Sequence, residues 1–283
     1  MGGTKIILNP YYVTGFSDIE GDGSLITPST LKSPSGSNKV CSVQLIFHIC
    51  DLEFVKVLQK RIGHGNIYFA KDTETVRLMI QNLQGVLTVI HMINGKMRTP
   101  KINALYTMID WLNMHKLEEK NHITKLPLDS SPIDCNSWLA GFIDTDGGFS
   151  IKGFTSNANT YPSFQFYLSQ REIDKSGESF RPVLQILADF LKVPLKLREI
   201  NGHPQFNITT SGIISNTILI NYLTSYPLFT SKYLNYVDWA YASNLFYKKE
   251  HKNLIVYEEI RTLKLNMNNG RKVFTWKHLE NFY

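Results

Sequence analysis

The sequence has little cysteine and no apolar stretch long enough to cross a bilayer. Cys41, Cys50 and Cys135 are the only cysteines among 283 residues, and no two of them form a C-x-x-C pair. An odd number without that spacing supports neither a disulfide framework nor a thiolate zinc site, and it fits a reducing compartment. No apolar run reaches the ~18 residues of a membrane span, and Met1 to Lys5 lacks the apolar core of a secretory signal. A soluble chain with no membrane partner is expected, and its N-terminus gives no organelle address. The eight histidines are scattered, with no H-E-x-x-H and no His-Asn-His cluster, and no G-x-x-x-x-G-K-[ST] loop is present. A histidine-based nuclease and an NTPase are therefore unsupported.

What is present is a globular, basic composition. Hydrophobic residues make up 43% and charged residues 19%, enough for a large core in one or two domains. Thirty Lys and Arg against 24 Asp and Glu give a net charge of +6, a modest pointer to a polyanionic partner.

The chain is organised around two near-copies of one stretch, Val13-Thr14-Gly15-Phe16-Ser17-Asp18-Ile19-Glu20-Gly21 and Leu139-Ala140-Gly141-Phe142-Ile143-Asp144-Thr145-Asp146-Gly147. Asn9-Pro10 is a helix start signal, and Asp134 is placed to cap the second helix. Gly21 and Gly147 stand where a helix end wants positive φ. Gly15 and Gly141 fall in mid-helix, where glycine costs ~1 kcal/mol against alanine. Close packing of the two helices, related by a pseudo-twofold axis, would offset that cost. Glu20 and Asp146 would then share one end, at helix C-termini that disfavour anions. Oxygen ligands of this kind suit Mg²⁺, and paired ions ~3.5–4 Å apart serve displacement at phosphorus. An EF-hand is excluded by Ser29 at the twelfth position of the first copy and by Gly148-Phe149 in the second.

The remaining pattern repeats once. Val40–Ile49, Asn66–Lys71 and Thr75–Gln81 alternate as strands, the second turning Ile67 and Phe69 inward. Helices are expected after Asp51, as their N-cap, and over 82–93 and 100–113. A polar connector precedes the second copy, after which two hairpins and three helices recur. The implied division is 1–114, a linker at 115–133, 134–250, and a helical extension at 251–283. Outward strand positions carry Gln44, His48, Tyr68, Arg77 and Gln81 in the first half, and Lys152, Gln165, Tyr167, Lys196, Arg198, Gln205 and Asn207 in the second. Such residues donate and accept at base edges, and a twisted β-ribbon fits the major groove.

The two stretches resemble the paired motifs of the LAGLIDADG homing endonucleases in their monomeric, two-motif form, and the tail resembles that of fungal mitochondrial group I intron-encoded members. The first copy departs from the pattern at Val13-Thr14, Ser17 and Glu20. The resemblance implies an α+β fold of two pseudo-twofold αββαββα halves joined through the paired helices, each with a four-stranded antiparallel sheet on DNA. It implies metal at Glu20 and Asp146 with the neighbouring Ile19 and Thr145, the ion being Mg²⁺ with Mn²⁺ or Ca²⁺ able to substitute in binding. It also implies catalytic support from Gln170, Lys232 and Lys101, with Lys96 as rival to Lys101. The expected activity is double-strand cleavage leaving 3′ overhangs, in the mitochondrion. An RNA-binding maturase assisting its own intron is the alternative, with intron RNA as partner.

Overall fold

The computed structural model describes residues 8–18, 23–29, 39–71, 73–154, 162–200 and 202–282. Ile19, Glu20 and Gly21 lie outside the described residues. The chain divides into two compact units, Met1–Thr145 with Leu279–Tyr283, and Asp146–His278.

In the first unit, helix α1 (Pro10–Ser17) starts as its sequence dictates. The Asn9 side chain accepts from the Tyr11 N–H at 3.0 Å, and Pro10 fills the first turn where no amide is needed. Strands β1 (Gly23–Ile26), β2 (Ser42–His48), β3 (Asn66–Phe69) and β4 (Thr75–Ile80) form an antiparallel sheet in the order β1-β2-β4-β3. Val43, Leu45, Phe47, Val76, Leu78 and Ile80 share its buried face. Helix α2 (Leu52–Ile62) buries Phe54, Val55, Leu58 and Ile62 and ends at Gly63 with φ 79°, a C-terminal cap that glycine adopts without strain. Asp51 precedes α2 but makes no side-chain capping bond. Helices α3 (Leu83–Ile93) and α4 (Ile102–His115) complete this half.

The connector that follows is pinned by two asparagine amides. Asn94 donates to the Thr124 carbonyl and accepts from the Leu126 N–H, while Asn113 does the same with both backbone groups of Ile123. Each amide satisfies one donor and one acceptor of an otherwise irregular segment.

Helix α5 (Trp138–Asp146) carries the second motif, and all but its last residue belong to the first unit. Two expectations fail at its ends. Asp134 sits in a short 3₁₀ turn, and Asn136 Oδ1 instead accepts from the Trp138 N–H at 3.0 Å. Gly147 does not adopt positive φ; it runs directly into strand β5 (Gly147–Lys152), so extended backbone ends the helix.

The second unit repeats the plan. Strands β5, β6 (Ser163–Arg171), β7 (Lys196–Ile200) and β8 (His203–Thr210) pair antiparallel in the order β5-β6-β8-β7. Helices α6 (Arg181–Phe190), α7 (Ile213–Ser225) and α8 (Lys232–Tyr247) follow the first plan's order. Phe149 on β5 packs against Tyr236 and Trp239 of α8, with ring centroids 5.5 and 5.2 Å apart.

Helix α9 (Leu254–Leu265) opens the extension, which turns back onto its own unit. Lys264 donates to the Gly153 carbonyl at 2.7 Å, Asn268 to the Phe149 carbonyl at 3.0 Å, and Arg271 pairs with Asp238 at 2.5 Å. The last described residues then join the first unit. Phe282 is buried with its ring 5.7 Å from Tyr12 and 5.5 Å from Phe54, and its carbonyl accepts from Arg61 at 3.0 Å.

The strand expectations hold with one exception. Phe69 is 62% exposed on the short edge strand β3. Its alternation points toward the core face, but an edge strand of four residues has nothing beyond it to bury the ring.

Candidate active site and nucleic-acid interface

The two motif helices meet through their glycines. A Cβ on Gly15 would lie 2.2 Å from the Trp138 carbonyl oxygen, and one on Gly141 would lie 2.1 Å from that of Tyr12. Only glycine permits backbones this close, which accounts for both mid-helix glycines.

Each helix also braces the other's first carboxylate. The Trp138 indole N–H donates to Asp18 Oδ2 at 2.7 Å, and the Tyr12 hydroxyl donates to Asp144. Both aromatics stand immediately before their motif, so the same position in each copy reaches the same position in the other. Asp18 and Asp144 are thus buried structural acceptors.

Asp18 ties the end of α1 to the segment before α4. Its carboxylate accepts from the Arg98 N–H at 2.8 Å and from the Thr99 hydroxyl at 2.9 Å. Burial pushes its pKa up to about 6, against the opposing effect of these bonds and of the nearby Lys101 charge. Thr99 Oγ1 in turn accepts from the Lys101 N–H at 3.3 Å. Lys101 therefore stands in a segment anchored two residues before Glu20. The rival Lys96 lies over the Tyr11 ring, 5.9 Å from its centroid.

In the second unit, Asp146 ends α5 and accepts a short hydrogen bond from the Gln170 amide. A carboxylate only accepts, so the amide nitrogen must face it and Gln170 Oε1 is turned away as an acceptor. Gln170 is buried because it shares the core-facing side of β6 with Phe164, Phe166 and Leu168. Lys232 opens α8, its N–H bonded to Thr230 Oγ1 at 3.3 Å, the same Thr-x-Lys device that holds Lys101. The contacts of Phe149 with Tyr236 and Trp239 bring the first turns of α8 alongside the start of β5, close in sequence to Asp146. Thr145 folds its hydroxyl onto the Gly141 and Phe142 carbonyls.

Among the described residues no group of three His, Cys, Asp or Glu side chains is gathered for a metal. A half-buried carboxylate and an amide oxygen, with no thiolate or imidazole, form a sparse and hard donor set. That chemistry fits Mg²⁺, which keeps several waters and takes few protein ligands.

The open faces of the sheets carry the other predicted residues. On the second sheet, Lys152, Gln165, Tyr167, Lys196, Arg198 and Asn207 line a concavity of about 500 Å³ together with Ser150, Ser169, Thr209 and Ser211. Gln205 lies on the same face, opposite Arg171 and Arg198. Ser169 donates to Asn207 Oδ1 at 2.6 Å, which fixes the orientation of that amide. On the first sheet, Gln44, His48, Tyr68 and Arg77 share the open face. Gln81 does not join them, because β4 ends at Ile80 and Gln81 lines a separate, largely apolar cavity of about 150 Å³ with Val86, Trp111 and Leu112.

The sequence model described as LAGLIDADG endonuclease matches residues 13–112 and 139–243. The chain belongs to the LAGLIDADG endonuclease family. Its relatives include the intron-encoded DNA endonuclease aI3 of Saccharomyces cerevisiae, 29% identical over 96% of this chain and 72% of the relative. A cox1 intron-2 protein of Schizosaccharomyces pombe is 26% identical over 85% of this chain and 67% of the relative. Among solved structures, meganuclease I-SmaMI bound to uncleaveable DNA matches with a TM-score of 0.68 at 21% identity, covering 95% of this chain and 100% of that one. The LAGLIDADG homing endonuclease I-GzeII with its DNA target gives 0.67 at 22%, covering 94% and 100%. At these identities the structures establish the two-sheet LAGLIDADG fold.

Within that fold, several positions at the open face and the helix pair escaped the sequence reading. Ser150, Ser169 and Thr209 extend the polar face of the second sheet, and strict alternation from Lys152, Gln165 and Asn207 would have found them. Tyr12 and Trp138 gave no such signal, since each bonds a residue more than a hundred positions away.

Proposed function

We propose that this LAGLIDADG chain is a site-specific, Mg²⁺-dependent endonuclease for double-stranded DNA that acts as a monomer, cuts both strands and leaves 3′ overhangs. The observation that carries the reading is Asp146, held by Gln170 at the end of a glycine-packed helix, in the unit whose open sheet face carries Lys152, Lys196 and Arg198. Origin in fungi, with action in the mitochondrion, follows the intron-encoded relatives.

Glu20 and Asp146, with the backbone oxygens of Ile19 and Thr145, would hold the cations. A divalent ion there supplies charge neutralisation at the scissile phosphate and a more acidic water. Gln170 keeps the Asp146 carboxylate turned toward its ligand and presents Oε1 to accept a hydrogen bond from a water, holding it in line with phosphorus. Lys232 and Lys101 place a cation where charge builds on the phosphate oxygens. Sheet residues read base edges, and basic side chains at the rim contact phosphates, so affinity falls steeply with salt.

The test is cleavage of a plasmid library containing the natural insertion site, with and without Mg²⁺. Cuts that require Mg²⁺ and vanish in both Glu20→Gln and Asp146→Asn support the reading. A segment covering 39% of the chain is 24% identical to the intron-encoded RNA maturase bI4 of Saccharomyces cerevisiae. Tight binding of intron RNA with no cut at any site would favour that second activity instead.

A further inference from the structure

The two open sheet faces differ in chemistry, and the difference assigns them different bases. In the first sheet, Ile46 sits opposite Arg77 and Gln44 opposite Met79, so Ile46 and Met79 are diagonal neighbours across β2 and β4. Both lie on the side away from the packed helices, where alternation would put polar residues, and both are only half-buried. A solvated sheet face gains nothing from adjacent apolar side chains at its middle, and their exposure asks for an apolar surface to cover them. One end of the face is occupied by His48, which pairs with the exposed Glu74 at 3.0 Å.

The open face of the second sheet, where Tyr167 and Ile200 are the exposed large apolar side chains, has more cations and amides. Its middle is filled by Ser169, Asn207 and Gln205, flanked on β7 by Lys196 opposite Asn207 and Arg198 opposite Gln205. Each of these side chains carries hydrogen-bonding groups, and Lys196 lies across from an Asn207 amide whose carbonyl accepts from Ser169 and whose N–H donates to the Gln205 backbone.

In the major groove the one apolar feature of a base pair is the thymine methyl, while guanine alone presents two adjacent acceptors, O6 and N7, to a cation. We infer that the sheets divide the target by base chemistry, the first reading A·T pairs through thymine methyls against Ile46 and Met79, the second reading guanines through Lys196 and Arg198. Gln44, adjacent to Met79, adds an amide whose carbonyl accepts from adenine N6 and whose N–H donates to N7. The inference rests on the proposed DNA-binding function and adds to it an asymmetric target, thymine-dependent in one half and guanine-dependent in the other.

The test begins with the full chain in Ca²⁺, selecting duplexes from a randomised library, and then measures binding of the enriched duplex resynthesised with base analogues. Deoxyuridine in place of thymidine removes only the methyl, and 7-deazaguanine removes only the N7 acceptor. Each contacted methyl should be worth about fourfold in affinity, and each guanine N7 about fivefold or more. Deoxyuridine should weaken binding in one half-site and 7-deazaguanine in the other. In the double variant Ile46→Ser with Met79→Ser the deoxyuridine penalty should disappear while the 7-deazaguanine penalty persists, and Lys196→Ala with Arg198→Ala should do the reverse. The analogue measurements use the unaltered protein, so they stand even where a variant folds poorly. Equal penalties in both halves, or a deoxyuridine penalty that survives in the folded Ile46→Ser, Met79→Ser double variant, would overturn the division and leave DNA binding intact. Failure to enrich any duplex would remove the DNA-binding reading itself, and this inference with it.

Discussion

Asp18 and Asp144 occupy the same place in two copies of one motif, and each is gripped by an aromatic residue from the opposite helix. Trp138 supplies an indole N–H to the first and Tyr12 a phenol to the second. The backbones obey one rule, glycine against carbonyl at 2.2 and 2.1 Å, while the donors have diverged. Duplication therefore fixes geometry more tightly than chemistry. Two helices that must touch at glycine leave their flanking aromatics one task, reaching a buried carboxylate, and either donor performs it. The same divergence appears in the segments carrying the candidate lysines. Thr99 donates to Asp18, whereas beside Thr230 the Phe229 carbonyl accepts from His278 at 3.0 Å.

The sharpest way to break the equivalence is to push the helices apart. Gly15→Val and Gly141→Val should each cost more than about 4 kcal/mol, since the added side chain meets backbone and not a movable side chain. Chemical denaturation should find both variants largely unfolded; a stable variant of either would show that the contact is not shared.

Next in size is the carboxylate that holds Thr99 and Arg98. Asp18→Ala strands an amide, an indole and a hydroxyl, and should cost about 3 kcal/mol or more in the thermal midpoint of the first unit. Asp18→Asn should cost less. Its carbonyl can take the two bonds of Oδ2, and its N–H can donate to Thr99, whose hydroxyl turns to the Asp18 carbonyl oxygen already 3.0 Å away.

Replacing the donors one at a time compares the two braces directly. Tyr12→Phe keeps the ring and removes one bond to a buried carboxylate, an expected loss of about 1.5–3 kcal/mol by urea titration. Trp138→Phe should lose more, because the indole also lies under the Arg98 guanidinium at 5.5 Å.

The smallest effect separates the lysine segments by pH. Burial holds the His278 pKa below its ordinary 6.5, with the bonds to the Phe229 and Thr230 backbone opposing. Because the folded state favours the neutral ring, its contribution is complete above pH 6.5 and is lost as pH falls through the depressed value. The thermal midpoint of the second unit should drop modestly over that range, and His278→Gln should remove the dependence.

Much of this was legible in the residues themselves. The mid-helix glycines announced a close approach, since nothing else offsets their helix cost, and alternation placed Gln44, Arg77, Gln165 and Asn207 on open faces. Local pattern failed where a partner comes from far along the chain. The bonds of Asp18 to Arg98, Thr99 and Trp138 depend on tertiary placement that no local pattern shows. Helix ends misled for a related reason. Gly147 looked like a left-handed terminus, yet strand pairing with Leu168 draws it straight into β5. Asp134 lost the capping role to Asn136 because a 3₁₀ turn intervenes before α5.

Phe282 closes a core whose other rings, Tyr12 and Phe54, belong to the opening segments of the chain. During synthesis the whole of the second unit must emerge before that ring arrives, an interval of about ten seconds at ordinary elongation rates. Until then the first unit has a gap in its aromatic cluster, so its final locking is deferred until the second unit has been made. A chain interrupted between Asp146 and Phe282 would carry both motif helices and still lack the residue that seals the older half of its interior.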